Sequence, residues 1–243
     1  MLTKTKAIVL RSVKFGDHRL IVDLLTEAEG RVSVAVNIPK TQKGKLKKQY
    51  FLPLSLLDVE MDFRPNVRLQ RLREAGIAHP FVSIPSNPHK LSISLFLAEF
   101  IYHCTRGEQQ NAHLFAYIAN SVRWLDGCVS AFANFHLVFM IRLSRFIGFF
   151  PNIAHYHEGD FFDLRAASFS STAPLHADFL TPADAGKIGT LMRMNYESMR
   201  LFRMNHTDRN RIVDVLVEYY RLHVPGFPEL RSLQVMKDLW AAD

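Results

Sequence analysis

The 243-residue chain has only two cysteines and lacks a long uncharged apolar run. Cys104 and Cys128 cannot build a disulfide framework and indicate buried thiols in a reducing compartment. The most apolar segment, residues 131–151, contains one histidine and two arginines, which a membrane span would carry at a cost of a few kcal/mol each. The N-terminal sequence MLTKTKAIVLRS lacks the apolar core of a signal peptide. We therefore expect a cytoplasmic protein that does not bind a membrane.

The sequence also lacks the common motifs of catalytic and nucleotide-binding sites. Around Gly44 and Lys45, the phosphate-loop pattern fails because Pro39 replaces its first glycine and Leu46 follows the lysine. There is no GxSxG elbow and no CxxC pair, and HEGDF ends in Phe161 where a zinc motif needs histidine. These absences predict a protein that is not an enzyme and needs no cofactor.

Three histidines form the best candidate for a metal site. His155, His157 and His176 flank several carboxylates, and both ligand types bind zinc. The chain has 11 histidines, however, so neighbours of this kind arise easily by chance. We favour surface or hydrogen-bonding roles for these side chains and predict no metal.

Positive charge is concentrated in the first third of the chain. Residues 1–80 carry 15 Lys and Arg against 8 Asp and Glu, a net charge of +7, whereas residues 81–243 carry 15 of each. The stretch KTQKGKLKK, residues 40–48, holds five of these cations and no acid. Because like charges repel, such a segment indicates a polyanionic ligand.

The same third of the chain has the pattern of a small β-barrel. In RVSVAV, residues 31–36, apolar and polar side chains alternate strictly, as in a half-buried strand. Four further strand-like runs are joined by turns at FGDH, AEGR and DFRPN and by the basic segment. Five strands in about 80 residues predict an OB-fold, with an SH3-like barrel as the alternative.

Helical periodicity follows a Pro-rich junction, SIPSNPH, at residues 83–89. We predict an α+β protein with an OB-fold domain at 1–80 and an all-α domain at 81–243. An irregular excursion near 152–180 should interrupt the helices. The predicted helices cover 89–106, 111–127, 131–150, 181–203, 208–223 and 230–240, and Thr181 should cap the fourth.

The basic residues of the barrel are the candidate nucleic-acid contacts. The basic segment and the fifth strand should present them together. We predict DNA-binding roles for Lys40, Lys43, Lys45, Lys47, Lys48, Arg68, Arg71 and Arg73. Tyr50 and Phe51 follow the lysines, and an exposed ring there could stack on a base, although strand alternation favours a core position for at least one of them.

Several stretches together resemble the RecO family of recombination and repair proteins. The resemblance runs through AIVLRSVKFGDHRLIVDLLTEAEGRVSVAV, FLPLSLLDVEM, FANFHLVFMIRLSRFIGFFPN and YYRLHVPGFPELRSL. It includes the turns at Gly16 and Gly30 and covers most of the chain. The resemblance implies an OB-fold followed by a helical domain, in a nucleoid-associated protein that binds single- and double-stranded DNA and anneals complementary strands.

The resemblance also implies partners. Proteins of this family act with RecR to help RecA displace the single-strand-binding protein SSB, whose acidic tail ends in phenylalanine. An apolar pocket beside a cation would suit such a tail. In the segment 131–150, the candidate residues for this contact are Arg142, Arg145, Phe146 and Phe149.

Two features depart from the family pattern. Many relatives have four zinc-binding cysteines in the helical domain, but residues 152–176 contain none here. The small residues that usually end the third strand are replaced by Asn37, Ile38 and Pro39. An enzyme that holds RNA or DNA on the basic barrel is the alternative function, and a protein-docking scaffold is compatible with the mediator role.

Overall fold

The computed structural model describes residues 2–38, 46–107, 109–154 and 156–241. Five strands form the first part of the chain, and six helices with three short strands form the rest of the described residues. The strands are β1 (Leu2–Lys14), β2 (Arg19–Thr26), β3 (Gly30–Asn37), β4 (Leu56–Asp62), β5 (Leu69–His79), β6 (Phe161–Asp163), β7 (Ser168–Ser170) and β8 (Phe179–Leu180). The helices are α1 (Pro88–Cys104), α2 (Ala112–Gly127), α3 (Phe135–Leu143), α4 (Pro182–Arg193), α5 (His206–His223) and α6 (Arg231–Ala241).

The first five strands close into a barrel in the order β1-β2-β3-β5-β4. Neighbouring strands are antiparallel except β3 and β5, which pair in parallel, with Ser33 opposite Leu69 and Ala35 opposite Arg71. Strand β1 is long enough to pair with both β2 and β4, which closes the barrel. This topology confirms the predicted OB-like barrel rather than the SH3-like alternative.

The barrel interior follows from the alternation in the sequence. Val32, Val34 and Val36 are buried in the core, while Arg31 and Ser33 on the opposite face are only partly buried. Burying one such valine side chain contributes about 1.5–3 kcal/mol, so a one-residue slip of β3 would lose most of this core.

Gly30 is required at the turn between β2 and β3. Its φ is +66°, in the left-handed region. A Cβ atom there would also lie 2.5 Å from the carbonyl carbon of Gln109. Both the backbone conformation and this close approach therefore exclude a side chain.

Helix α1 begins at a conventional cap. The Asn87 side chain accepts hydrogen bonds from the backbone N–H groups of His89 (3.0 Å) and Lys90 (3.1 Å), and Pro88 occupies the first helical position. These groups satisfy the helix terminus without neighbouring elements. The helix thus starts inside the segment that the sequence indicated as a junction.

A buried polar cluster connects this junction to the end of α2. The Asp126 carboxylate accepts hydrogen bonds from the N–H groups of Val82, Ser83 and Ile84 at 2.9–3.1 Å. The Lys90 ammonium donates to the Ser83 hydroxyl at 2.7 Å and to the Asp126 carbonyl at 3.2 Å. Desolvation raises the pKa of Asp126, but these N–H donors outweigh it and hold the pKa below its usual value.

The chain forms two compact units. One comprises residues 1–127 and 230–239, and the other comprises residues 128–229 and 240–243. The barrel, α1 and α2 therefore belong to the same unit. The division into domains 1–80 and 81–243 stays a prediction, because compactness does not show which segment folds independently.

In the second unit, α3 is the central buried helix. The Tyr220 hydroxyl of α5 donates to the Met140 carbonyl at 2.7 Å, and Phe135 stacks on Tyr196 at 4.8 Å. Only residues 135–143 are α-helical, not the predicted 131–150. The chain turns after Leu143 and reaches a left-handed conformation at Gly148, with φ +95°.

The excursion predicted near 152–180 contains a small sheet in the order β7-β6-β8. Its strands have only two or three residues, too few to show a period in the sequence. Helix α4 begins at Pro182 as predicted, although the Thr181 side chain makes no capping hydrogen bond. Within the described ranges, no helix combines the length and apolarity needed to cross a membrane.

Candidate nucleic-acid interface

The basic segment is only partly within the described structure. Lys40, Lys43 and Lys45 lie outside the described residues. Lys47 and Lys48 are exposed at the start of a 3₁₀ turn, Lys48–Phe51, which leads into β4. Neither of these two side chains forms an ion pair with a described residue, so their charges face solvent.

The two aromatic residues after the lysines have different environments. Phe51 is 2% exposed and belongs to the barrel core, as the alternation favoured. Its carbonyl accepts a hydrogen bond from the Ser12 hydroxyl at 2.7 Å, which fixes the turn against β1. Tyr50 is only partly buried at the edge of the core. Of the two rings, only Tyr50 keeps surface that a ligand could contact.

The turn between β1 and β2 adds cations that the sequence reasoning missed. Lys14 and Arg19 line a surface cleft of about 110 Å³ together with the predicted Lys48, and Asp17 and His18 also contribute to its lining. The Ile38 N–H donates to the His18 carbonyl at 2.7 Å, which holds the residue after β3 against this turn. The pairing of β1 with β2 and of β2 with β3 creates this proximity, and residue spacing alone does not reveal it.

Phe15 at the same turn is also absent from the predicted site. Its side chain is 58% exposed, beside the cations of the β1–β2 turn. An exposed ring among cations is a usual element of single-strand binding surfaces. In the sequence, only the predicted turn FGDH between two strands indicated that Phe15 would be exposed.

Two arginines of β5 point outward. Arg71 and Arg73 are exposed, whereas Gln70 and Leu72, which alternate with them along the strand, are buried. Arg73 forms an ion pair with Asp62 at 2.8 Å, and this hydrogen bond lowers the pKa of Asp62. Part of the Arg73 charge is therefore already compensated.

Gln70 shapes the loop that carries Arg68. Its side-chain amide donates to the carbonyls of Arg64 (2.8 Å) and Val67 (2.5 Å), and its oxygen accepts from the Arg64 N–H at 2.9 Å. Arg68 lies exposed at the end of this loop and forms no ion pair with a described residue. A buried glutamine thus fixes the loop without using its basic side chains.

The residues predicted to bind the SSB tail have separate roles in the second unit. The Arg142 guanidinium donates to the Met194 carbonyl, with its Nε at 2.8 Å. Phe149 packs on the rings of Tyr219 (5.5 Å) and His223 (4.9 Å).

The other two members of that set lie after the end of α3. Arg145 is exposed, with its guanidinium 4.3 Å from the ring centroid of Phe150. Phe146 is partly buried. The binding role of all four residues stays a prediction.

The histidines considered for a metal site lie in separate pairs. His157 Nδ1 is 3.6 Å from Asp160, and His176 Nε2 is 3.2 Å from Asp163. His155 lies outside the described residues. Among the described residues, no three potential ligands of the types His, Cys, Asp and Glu come together.

Asp163 has a structural role in the turn after β6. Desolvation raises its pKa, but hydrogen bonds from the N–H groups of Ala166 and Arg165 and from His176 outweigh this effect and hold the pKa below its usual value. The ionised carboxylate caps the β6–β7 turn.

Cys104 and Cys128 form no disulfide among the described residues. Cys104 is buried, and desolvation raises its pKa well above the usual value. Cys128 is only partly buried, and its thiol donates to the Ser130 carbonyl at 2.9 Å. The sequence therefore predicted the environment of Cys104 but overestimated the burial of Cys128.

Comparison with known proteins accounts for nearly the whole chain. The family model for the recombination protein O N terminus matches residues 1–81, and that for its C terminus matches residues 85–234. A protein from Bacteroides fragilis named DNA repair protein RecO is 50% identical over 241 residues, covering 99% of this chain and all of that protein. Proteins of the same name from Phocaeicola vulgatus and Porphyromonas gingivalis are 48% and 30% identical, with the same coverage.

The N-terminal match coincides with the barrel that carries the excess charge, and the two matches meet at the junction before α1. The resemblance identified in the sequence is thereby confirmed, and it agrees with a binding role rather than a catalytic one. The chain belongs to the RecO family of DNA repair proteins.

Proposed function

We propose that this protein binds single- and double-stranded DNA through the basic face of its barrel and anneals complementary strands. The observation that carries this proposal is the coincidence of charge and fold. The entire net charge of +7 lies in residues 1–80, whose described strands form an OB-like barrel. Exposed lysines at 47 and 48 and the cleft at the β1–β2 turn extend this charge over neighbouring loops. Phosphate contacts of this kind bind DNA without sequence preference.

Annealing and cleavage can be separated in one experiment. Labelled complementary strands should anneal faster with the protein, whereas labelled duplex with Mg²⁺ should stay intact. The charge-reversal variant Lys43→Glu, Lys45→Glu, Lys47→Glu, Lys48→Glu should lose annealing while its circular dichroism spectrum stays unchanged. Cleaved duplex would favour the enzyme alternative, and wild-type annealing by the variant would remove the basic segment from the site.

The mediator role completes the proposal. We infer from the family resemblance that the protein acts with RecR to load RecA on single strands coated by SSB. SSB displacement requires contact both with phosphates and with a protein, and a chain that has an OB-like barrel and a helical part offers a surface for each. RecA filament formation on SSB-coated DNA, with and without this protein and RecR, tests it. Equal filament formation in both reactions would leave DNA binding standing alone.

For the SSB tail, the exposed Arg145 supports a role for the segment after α3. Arg145→Ala should weaken binding of a labelled SSB tail peptide without changing the melting temperature. Arg142→Ala serves as the contrast, because losing the bonds to the Met194 carbonyl should cost about 1.5–3 kcal/mol of stability. Equal peptide binding by Arg145→Ala and wild type would place the tail site elsewhere.

A further inference from the structure

An apolar groove of about 410 Å³ lies between the 3₁₀ turn, the end of β5 and the first turns of α1. Its volume falls within the range of small-molecule sites, about 300–1,000 Å³. The described residues that line it include no Asp, Glu, Lys or Arg. The groove is distinct from the basic cleft at the β1–β2 turn, which has other lining residues.

The walls of the groove expose apolar surface that the fold leaves uncovered. Leu52 is 56% exposed, and Ile77, Leu91 and Leu95 are 39–41% exposed. Covering the apolar surface of these four side chains would contribute about 25 cal/mol of binding free energy per Å² removed from water. Several such side chains around one concavity indicate a binding site.

The groove is lined by a buried hydroxyl that lacks a hydrogen-bond partner among the described residues. Ser94 lines the groove, is 1% exposed, and its Oγ makes no hydrogen bond with a described residue. Leaving such a group unsatisfied costs about 1–3 kcal/mol. Because a hydroxyl both donates and accepts, a ligand with a mixed donor and acceptor edge would satisfy it.

The rings in the groove and the charges beside it identify the ligand chemistry. Tyr50, His79 and Phe81 contribute rings to the lining, and the last two rings meet edge to face at 5.4 Å. Lys47 and Lys48 immediately precede the wall residues at 49 and 50 and make no ion pair with a described residue. Rings that accept a flat heterocycle, beside cations that accept phosphate, match a nucleotide of a single strand.

An acidic peptide with apolar side chains fits the groove less well. Its carboxylates would need a cation inside the concavity, and the described lining residues supply none. A nucleotide needs its charge neutralised only outside the groove, and Lys47 and Lys48 directly precede its wall residues in the chain. An uncharged interior with cations on the adjoining residues therefore favours the base.

We propose that this groove takes an unpaired base from the DNA strand whose phosphates contact Lys47 and Lys48. The inference rests on the proposed DNA binding and adds a means of distinguishing single strands from duplex. Only a base that has left the stack can enter the groove, so paired DNA would make the phosphate contacts alone.

The test compares a dT oligomer with an abasic oligomer that has the same number of phosphates. Stacking contributes about 1–3 kcal/mol per base, so the wild type should bind the dT strand roughly tenfold more tightly. The double variant Leu91→Ser, Leu95→Ser should bring this ratio close to one without changing the affinity for the abasic strand. Because both side chains are exposed, the melting temperature should stay unchanged.

Val82→Ser is the matched control, since Val82 is 79% exposed and lies outside the groove lining. It should keep the wild-type ratio. Photocrosslinking of a strand that contains 5-iodouracil should give adducts at Tyr50, His79 or Phe81. Crosslinks confined to other residues would overturn the proposal.

The remaining outcomes separate this inference from the proposed function. Salt-dependent binding with equal affinity for the two oligomers, or a ratio above one that the double variant keeps, would overturn the groove and leave DNA binding intact. No binding to either oligomer would overturn both. A double variant that keeps the ratio but loses affinity for an acidic peptide with apolar side chains would make the groove a peptide site instead.

Discussion

The barrel and the second compact unit use their cations differently. In the second unit, several basic side chains bond to partners within the unit: Lys187 to Asp208 at 2.8 Å, and Arg165 to Asp178 at 2.6 Å. Arg209 likewise donates to the Met204 carbonyl at 3.1 Å. On the barrel, by contrast, Lys47, Lys48 and Arg68 are exposed and form no ion pair with a described residue.

This difference shows why net charge alone is a poor guide to a binding surface. A cation that already bonds to a carboxylate or carbonyl would have to break that contact to bind a phosphate, whereas a solvated lysine only releases counterions. Some cations of the first unit are also structural. Arg31 donates to the Tyr102 carbonyl at 2.7 Å and lies over that ring at 4.2 Å. The useful quantity is therefore the number of uncompensated cations on one surface.

The largest effect on stability is expected at Asp126, whose carboxylate is a buried hydrogen-bond acceptor in the first unit. Asp126→Ala should lower the free energy of unfolding by about 3 kcal/mol, because the N–H groups of Val82, Ser83 and Ile84 lose their acceptor. Asp126→Asn keeps an acceptor oxygen and should lose less. Denaturant unfolding of the variants measures both values.

Acid should weaken the contribution of the Asp126 cluster to stability. Because the folded-state pKa of Asp126 is depressed, its contribution is complete above the unfolded pKa of about 3.9 and is lost as the pH falls through the folded pKa. Asp126→Asn should remove this part of the acid sensitivity. If Asp126→Ala unfolded at the same midpoint denaturant concentration as the wild type, the role assigned to Asp126 would be contradicted.

A second pH effect belongs to the other unit. Desolvation, with a smaller effect of Arg209, lowers the pKa of the buried His136 to about 3. The unfolded chain therefore binds a proton near pH 6.5 that the folded unit does not bind until about pH 3. Stability should be complete above pH 6.5 and fall by roughly 1.4 kcal/mol per pH unit below it.

Replacing His136 with leucine, of similar size, tests this assignment. The variant should lose the slope of stability between pH 6 and pH 4, as thermal unfolding at several pH values would show. DNA affinity at pH 7.5 should be the same as in the wild type, since His136 is buried in the second unit. A variant that keeps the slope would assign the acid sensitivity to other groups.

The elements of the barrel could be predicted from the sequence because β3 alternates with period two and turn residues separate the other strand-like runs, although β1 buries four residues in a row. The helix predicted at 131–150 failed for the opposite reason. Its side chains are apolar on every face, so composition gave no sign that the helix ends at Leu143, before Gly148. Strands of two or three residues, such as β8, are too short for a pattern.

The candidate site was predictable in its charge but not in its arrangement. The lysines and outward-facing arginines follow from spacing, whereas the contact of Ile38 with His18 depends on strand register. The groove combines three separate segments, and its significance rests on the unsatisfied Ser94 hydroxyl. Neither register nor satisfaction of a hydroxyl can be read from a single sequence.

The central claim is that uncompensated cations on the barrel, and not basic residues in general, bind DNA. It is tested by the salt dependence of binding to a dT oligomer for two charge-matched variants, Lys47→Glu, Lys48→Glu and Arg200→Glu, Arg203→Glu. All four side chains are exposed, so both variants should keep the wild-type melting temperature. Loss of two phosphate contacts should make the log–log slope shallower by about 1.4 in the lysine variant and leave it unchanged in the arginine variant. Equal changes in both variants, or no change in the lysine variant, would contradict the claim.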